Sequence, residues 1–437
     1  MFDRSAIARL APMFLAAHAL LVTGCRVRVE PLMPAPVLYT DGRMDPFPYL
    51  EGRQRRPTVD ILYATNRARG DDWQVIQYNN SLTDRISLGA AAVRLGGPGM
   101  TWDDLLAAST SSTRDKPIPI EMAGTFERGG LSVAEPLGDP GPDSQEFIDA
   151  INRRVDTSFT GDIFIFVHGA KVNFYNACAF TGQLSHYIGR DMVGVAFAWP
   201  TQQNIVAYGI GADVEHAYQS GDALASLIEF ISTRTRARRI HVLSWSAGAR
   251  VVSDAVSTLH DRHPDSSSDA LRARLRLGTL YFAAGDIPLA EFLRHIDVLH
   301  ALSDRVVVSL SDADRSLTMA GHFMGGGRRI GQHGTPLNDS QREHLNSLDR
   351  FEVVDVSRGK DERGFDIGGH RYWFNHPWCS TDTLLVLRTG LPASERGLVQ
   401  AEGWRCVWAL PPDYPDRVHA AVERLRMQRD ASDTSNE

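Results

Sequence analysis

Residues Arg239–Val252 read RIHVLSWSAGARVV, and this stretch decides the fold. An apolar run ends in the letters SWSAG, and a helical pattern begins at once. This pattern indicates a strand that reverses sharply into a helix with a serine, Ser246, at the apex, close to the form G-x-S-x-G. The first glycine is replaced here by Ser244, which is also small, so the departure weakens the pattern without breaking it. We predict that the Ser246 hydroxyl is exposed above a sheet, with the N–H of Ala247 at the start of the helix facing a developing negative charge.

Apolar runs alternate with helical patterns on both sides of this stretch, which predicts an α/β protein with a doubly wound, mainly parallel sheet. The first run of this series, DIFIFV, has the continuous apolar character of a strand buried on both faces. Earlier runs are β-branched or alternating and predict a β-rich N-terminal extension. We therefore divide the chain into an extension over 58–144, a main domain over 145–390 and a C-terminal segment over 391–437. The predicted strands of the main domain cover 162–167, 193–199, 240–243, 277–283, 305–310 and 351–356, the last of the series.

The composition is that of a globular protein with a large core. The chain has 437 residues, of which 43% are hydrophobic and 23% charged. Its net charge is −7, and it has no basic blocks, which argues against nucleic acid as a partner.

The N-terminus carries an apolar run over 11–22 that is too short to cross a bilayer and ends in LVTGC at 21–25. Small residues before a cysteine resemble the lipobox of bacterial lipoproteins. The resemblance implies removal of residues 1–24 as a signal peptide and lipidation of Cys25, which would tether a soluble domain to a membrane. Because Arg26 rather than aspartate follows the cysteine, it also implies the bacterial outer membrane, facing the periplasm. A plain secretory signal and a wrongly assigned start codon are the alternatives. The proline-bearing stretch 25–57 is predicted to be a linker.

Three cysteines remain if Cys25 is lipidated. Cys379 and Cys406 are candidates for a disulfide in an oxidising compartment. Cys178 lies in a predicted helix and is expected to be a buried apolar residue.

A serine hydroxyl needs a base to accept its proton, and that base needs an acid to orient it. Of the orders in which known enzymes carry these partners, serine, acid, histidine is that of the α/β-hydrolases. Ser246, Asp314 and His370 satisfy this order. Asp286, which ends the preceding predicted strand, is the alternative acid, and it could instead cap a helix. His376 is the alternative base, although its proline and aromatic neighbours favour a structural role.

Seven short motifs occur in order over roughly 58–390, and together they resemble the α/β-hydrolase superfamily and, within it, the DUF900 family of uncharacterised bacterial hydrolases. The resemblance implies an oxyanion hole formed by the N–H groups of Ala247 and Ala170, with the His168 side chain bracing the loop. Ala170-Lys171 stands where the family often has an aromatic residue and asparagine, so substrate specificity is the property in question. The motifs are YATNR at 63–67, VHG at 167–169, WP at 199–200, the Ser246 stretch, AGD at 284–286, DRSL at 314–317 and GHRY at 369–372.

These observations predict a serine hydrolase of esterase or lipase type that acts on a small-molecule or lipid acyl substrate. The class is assigned by analogy with the fold. A serine mechanism needs no metal or cofactor, and the spacing of His322, His333 and His344 matches no metal site. These three histidines lie in a long passage, 320–350, that is suited to a cap or a substrate-facing loop. The alternative is a non-catalytic envelope lipoprotein that uses the hydrolase scaffold for binding.

Overall fold

The computed structural model describes residues 30–70, 77–202, 211–323, 327–334, 337–357 and 369–434. Within these ranges the chain forms one sheet of 12 strands in the order β1-β4-β3-β2-β6-β5-β7-β8-β9-β10-β12-β11. The strands are β1 Glu30–Pro31, β2 Thr58–Arg69, β3 Tyr78–Leu95, β4 Pro119–Ser132, β5 Ile163–Val167, β6 Val193–Phe197, β7 Ile240–Trp245, β8 Leu277–Ala283, β9 Ser303–Leu310, β10 Phe351–Asp355, β11 Val399–Gln400 and β12 Val407–Ala409.

The strands from β2 through β6, β5, β7, β8 and β9 to β10 and β12 are parallel to their neighbours, as the alternating pattern predicts. Helices cover both faces. They are α1 Trp102–Ser109, α2 Gly141–Val155, α3 Phe174–Tyr187, α4 Ala212–Arg234, α5 Gly248–Asp261, α6 Ser268–Leu275, α7 Leu289–Leu302, α8 Arg315–Phe323, α9 Asp339–Ser347, α10 Tyr372–Asn375, α11 Pro377–Thr389 and α12 Tyr414–Thr434.

Two apolar cores lie on opposite faces of the sheet. In β5, Ile165 and Val167 belong to the core under α2, α4, α5 and α7, whereas Phe164 and Phe166 belong to the core under α3 and α11. Alternate side chains of one strand are thus buried on both faces, which explains why the strand is a continuous apolar run. The prediction of a doubly wound α/β fold is confirmed.

The β-rich N-terminal region is continuous with the main sheet. β2 pairs in parallel with β6, and β3 and β4 extend the sheet as antiparallel strands. The structure also corrects the prediction of a linker over residues 25–57. From Glu30 onward the segment packs against the domain, with Met33 and Tyr39 buried in the core. The Tyr39 hydroxyl donates to the carbonyl of Tyr187, and the N–H of Met33 donates to Gln183 Oε1. The prolines here shape an ordered irregular segment.

Beyond α11 the C-terminal segment adds β12 beside β10, with β11 antiparallel to it, so the prediction that 351–356 is the last strand is wrong. The segment is fixed by the fully buried Arg396, whose guanidinium lies 2.8 Å from both Asp382 Oδ1 and Glu352 Oε2. Cys178, Cys379 and Cys406 are buried free thiols. The signal segment and Cys25 lie outside the described residues. No helix in the described ranges has both the length and the hydropathy for a membrane span.

Candidate active site

Ser246 lies at the turn between β7 and α5 in a backbone conformation that few residues other than glycine adopt. Its φ is 53°, in the left-handed region. The turn is held on both sides, because the N–H of Ser246 donates to the carbonyl of Ala283 (3.0 Å) and its carbonyl accepts from the N–H of Asp286 (2.9 Å). A strained backbone held by its surroundings at a strand-to-helix turn is the geometry expected of a nucleophile elbow.

The small residues around Ser246 are required by close contacts. A Cβ at Gly248 would lie 2.5 Å from the carbonyl oxygen of Val167, and one at Gly169 would lie 2.9 Å from Ser246 Cβ. At the position of the first glycine, Ser244 fits because its buried hydroxyl donates to the carbonyl of Tyr281 in β8 (3.2 Å). The side chain that departs from the pattern is therefore accommodated on the sheet.

His370 and Asp314 are in direct contact. His370 Nδ1 lies 2.7 Å from Asp314 Oδ2, and the Asp314 side chain is completely buried. The other carboxylate oxygen accepts from the N–H of Leu317 (3.1 Å) in the first turn of α8. The carboxylate is thus fixed by a helix start, and it is placed to hold the imidazole with its Nδ1 protonated and Nε2 available as a base.

The loop that carries His370 is joined to the turn that carries Ser246. Trp245, the residue before Ser246, donates its indole N–H to the carbonyl of His370 (3.3 Å), and the two rings lie 5.8 Å apart. Gly369 has a φ of 61°, and a Cβ there would lie 2.2 Å from the carbonyl oxygen of Ala313. Only glycine fits this approach to the segment that carries Asp314.

Asp286 and His376, the alternatives, have other partners. The Asp286 carboxylate is buried, 2.7 Å from Arg329 Nε and 3.9 Å from an Arg250 nitrogen. His376 caps α11 by accepting from the N–H of Trp378 (3.2 Å).

The loop after β5 carries Ala170 directly after Gly169, which approaches Ser246 closely. Among the described residues, neither the N–H of Ala170 nor that of Ala247 has an acceptor, so both can donate to a bound group. His168 is fully buried and stacks on Trp199 with 5.5 Å between ring centroids, and its Nδ1–H donates to the carbonyl of Gly169 (2.7 Å). Burial lowers the pKa of His168 to about 3, so it is neutral and serves as a brace.

Trp199 is a core residue, since it is fully buried and donates its indole N–H to the carbonyl of His168 (2.7 Å). Two of the three histidines in the passage 320–350 pair with carboxylates. His333 lies 3.2 Å from Asp355, and His344 lies 2.8 Å from Asp297. The side chain of His322 lies outside the described part. In the described part of the chain, no three metal-binding side chains form a cluster.

Arg67 supports the Ala170 loop, a role that was not predicted from the sequence. Its buried guanidinium donates to the carbonyl of Val172 (2.7 Å) and to Asn80 Oδ1 (2.9 Å). The Thr201 hydroxyl donates to the same Val172 carbonyl (2.8 Å). Burial lowers the pKa of Arg67 to about 9. The sequence did carry a signal for this role, because Arg67 lies within a β-branched, apolar strand. A cation buried in such a strand needs fixed hydrogen-bond acceptors.

A family model described as an α/β hydrolase of unknown function (DUF900) matches residues 143–386, which is more than half of the 437 residues. The match runs from within α2 to within α11 and includes Ser246, Asp314 and His370. A comparison with curated proteins found no match.

Proposed function

The chain belongs to the DUF900 family of α/β hydrolases, and from this we propose that it is a serine hydrolase of esterase or lipase type. Ser246 is the nucleophile, His370 the base and Asp314 the acid that orients it. The N–H groups of Ala247 and Ala170 form the oxyanion hole. The substrate is the acyl ester of a small molecule or a lipid, and the mechanism uses no metal or cofactor.

The reaction proceeds through an acyl-enzyme. The Ser246 oxygen attacks the ester carbonyl while its proton passes to His370 Nε2, and the oxyanion is stabilised by the two N–H groups. The imidazolium then gives that proton to the leaving alkoxide as the C–O bond breaks. A water molecule repeats the sequence on the acyl-enzyme, with His370 again accepting and returning one proton, and the carboxylic acid is released. Asp314 stabilises the imidazolium and stays ionised throughout.

The observation that carries this proposal is the contact of His370 Nδ1 with the buried Asp314 carboxylate at 2.7 Å, on a loop bonded to Trp245. A buried carboxylate is costly unless it is paired. Its pairing with a histidine next to a strained serine turn supports acid–base chemistry in preference to a scaffold role. The class of bond that is cleaved, an ester, is inferred by analogy with other proteins of this fold.

We also propose, from the residues before the described domain, that the mature protein is anchored by a lipid on Cys25 in the bacterial cell envelope, at the outer membrane facing the periplasm. Mass spectrometry of the N-terminal peptide from the native host measures this directly. We expect a diacylglyceryl group on Cys25, and an unmodified peptide that begins elsewhere would contradict it.

The enzymatic proposal is tested by turnover of p-nitrophenyl esters of increasing acyl length. We expect Ser246→Ala and His370→Ala to lose at least about 10³-fold in kcat, because each removes part of one proton-transfer unit. His376→Ala is the matched control for histidine removal, and it should keep kcat within a few-fold. Inertness of the folded protein toward the whole ester series, or a His370→Ala variant with near-normal turnover, would contradict the assignment and favour a binding role for the scaffold.

A further inference from the structure

The first described residue is tied to the loop of the candidate base. Glu30, at the start of β1, receives two hydrogen bonds from the Arg371 guanidinium, at 2.7 Å to Oε2 and 3.3 Å to Oε1. The Glu30 side chain is 5% exposed and that of Arg371 is 30% exposed. A two-point, largely buried contact of this kind fixes geometry more firmly than a surface ion pair does.

Arg371 follows His370 directly, and its guanidinium lies over the ring of Trp245 at 5.9 Å and that of Phe374 at 6.0 Å. Trp245 precedes Ser246 in the chain. Glu30 therefore contacts Arg371, which is adjacent to the candidate base in the chain and packs on Trp245, the residue before the candidate nucleophile. The N-terminal end of the described domain thus lies beside the candidate site.

The chain between Cys25 and Glu30 is short. Four residues lie between them, and the five residue-to-residue steps from Cys25 to Glu30 reach at most about 17 Å when fully extended. A folded domain of roughly 400 residues is about 55 Å across by ordinary size scaling. A linker over all of 25–57 would have let the domain tumble freely above a membrane. Because Glu30 already belongs to the packed domain, a lipid on Cys25 holds this edge of the domain within the tether's reach of the bilayer.

The charges near this edge are suited to an anionic lipid surface. Arg26 and Arg28 lie in the tether sequence, and the exposed Lys171 follows Ala170 of the candidate oxyanion hole. The chain as a whole has a net charge of −7. An anionic membrane attracts these basic residues, and each one that lies close to the membrane surface contributes about 1 kcal/mol.

We propose that the edge carrying Glu30 and Arg371 rests on the membrane that holds the Cys25 lipid, and that the site takes its substrates from that membrane. The substrates are acyl esters of amphiphiles in the bilayer. This inference rests on the proposed ester hydrolase function and on lipidation of Cys25, and it adds the substrate class and the orientation of the site.

The test uses the full-length lipidated protein reconstituted in vesicles of phosphatidylethanolamine and phosphatidylglycerol that contain a fluorogenic phospholipid ester. Inserting about 20 Gly/Ser residues after Arg28 lengthens the tether about fivefold, so the effective concentration of the site at the surface falls roughly tenfold. We expect the vesicle rate to fall by about that factor while hydrolysis of a water-soluble short-chain ester is unchanged. The matched control is the same insertion after Asp265, in an exposed loop between α5 and α6, and it should leave both rates unchanged.

The outcomes separate this inference from the proposals beneath it. If the protein hydrolyses neither substrate, the proposed function fails. If mass spectrometry of the reconstituted protein finds no lipid on Cys25, the anchor fails and the inference with it. If lipidated protein hydrolyses the soluble ester, yet the insertion after Arg28 leaves the vesicle rate unchanged, the site does not face the bilayer and the inference is overturned. Cys25→Ala, made without lipid, should keep soluble ester hydrolysis and lose vesicle hydrolysis.

Discussion

Replacing Asp314 with asparagine tests which carboxylate serves the candidate base. The substitution keeps the size of the side chain, and asparagine can still accept the hydrogen bond that Asp314 Oδ1 receives from Leu317 at the start of α8 (3.1 Å). What it removes is the negative charge at 2.7 Å from His370 Nδ1. The imidazolium formed during turnover then lacks its counter-charge, and the neutral amide also allows the wrong tautomer.

The size of the effect follows from the burial of the pair. The Asp314 side chain has no exposed surface, so solvent screens the lost charge little, and breaking such a pair costs about 3–5 kcal/mol. If the cost falls on the transition state, it corresponds to a loss of about 150- to 5000-fold in kcat. The assay is kcat for a soluble ester, measured together with the urea-unfolding midpoint, and the midpoint should change little.

Asp286→Asn is the matched control, since Asp286 is buried, follows a strand and lies 2.7 Å from Arg329 instead. It should lower the free energy of unfolding by about 3–5 kcal/mol, because an arginine loses its buried counter-charge, while kcat per folded molecule stays within a few-fold. The opposite pattern, with Asp286→Asn inactive and Asp314→Asn retaining kcat within tenfold, would refute the assignment of the acid.

Three further predictions concern strain, a buried ion cluster and pH. Ser246→Gly should abolish turnover and yet raise the free energy of unfolding by about 1 kcal/mol over Ser246→Ala, because glycine adopts the φ of 53° without strain; equal denaturation midpoints would contradict this. Arg396→Met should lower the free energy of unfolding by about 3–5 kcal/mol, since the Asp382 and Glu352 carboxylates lose a buried partner; kcat of the remaining folded protein should be unchanged. Burial lowers the pKa of His168 to about 3, so between about pH 6.5 and pH 3 only the unfolded chain binds a proton at this histidine. The free energy of unfolding therefore decreases as the pH is lowered through this range, by up to about 1.4 kcal/mol per pH unit. His168→Gln should remove that slope in urea titrations, and identical slopes in the two proteins would contradict it.

The strand-to-helix turn at Ser246 could be predicted from sequence because its signal is local. The apolar strand, the small residues and the helix start are adjacent in the chain around Ser246, and the strand–helix alternation repeats over the main domain. The choice between Asp314 and Asp286 could not be made in this way, because both follow strands that end at the same edge of the sheet. It depends on Arg329, which reaches Asp286 from a distant loop, and on the approach of the His370 loop to Asp314.

The packed segment after Glu30 could not be predicted for a related reason. Its buried residues, such as Met33 and Tyr39, are separated by prolines and show neither a helical nor a strand period. Their partners lie far along the chain, on α3 and α11. β11 and β12 are short strands, and a run of that length carries no periodicity to detect.

The most direct measurement of the central claim is intact-mass and peptide mass spectrometry after treatment with a fluorophosphonate, which modifies only an activated serine. We predict one adduct per chain, on the peptide containing Ser246, absent from Ser246→Ala and formed much more slowly in His370→Ala. Folded protein that gains no adduct, or an adduct on another residue that survives in Ser246→Ala, would contradict the account.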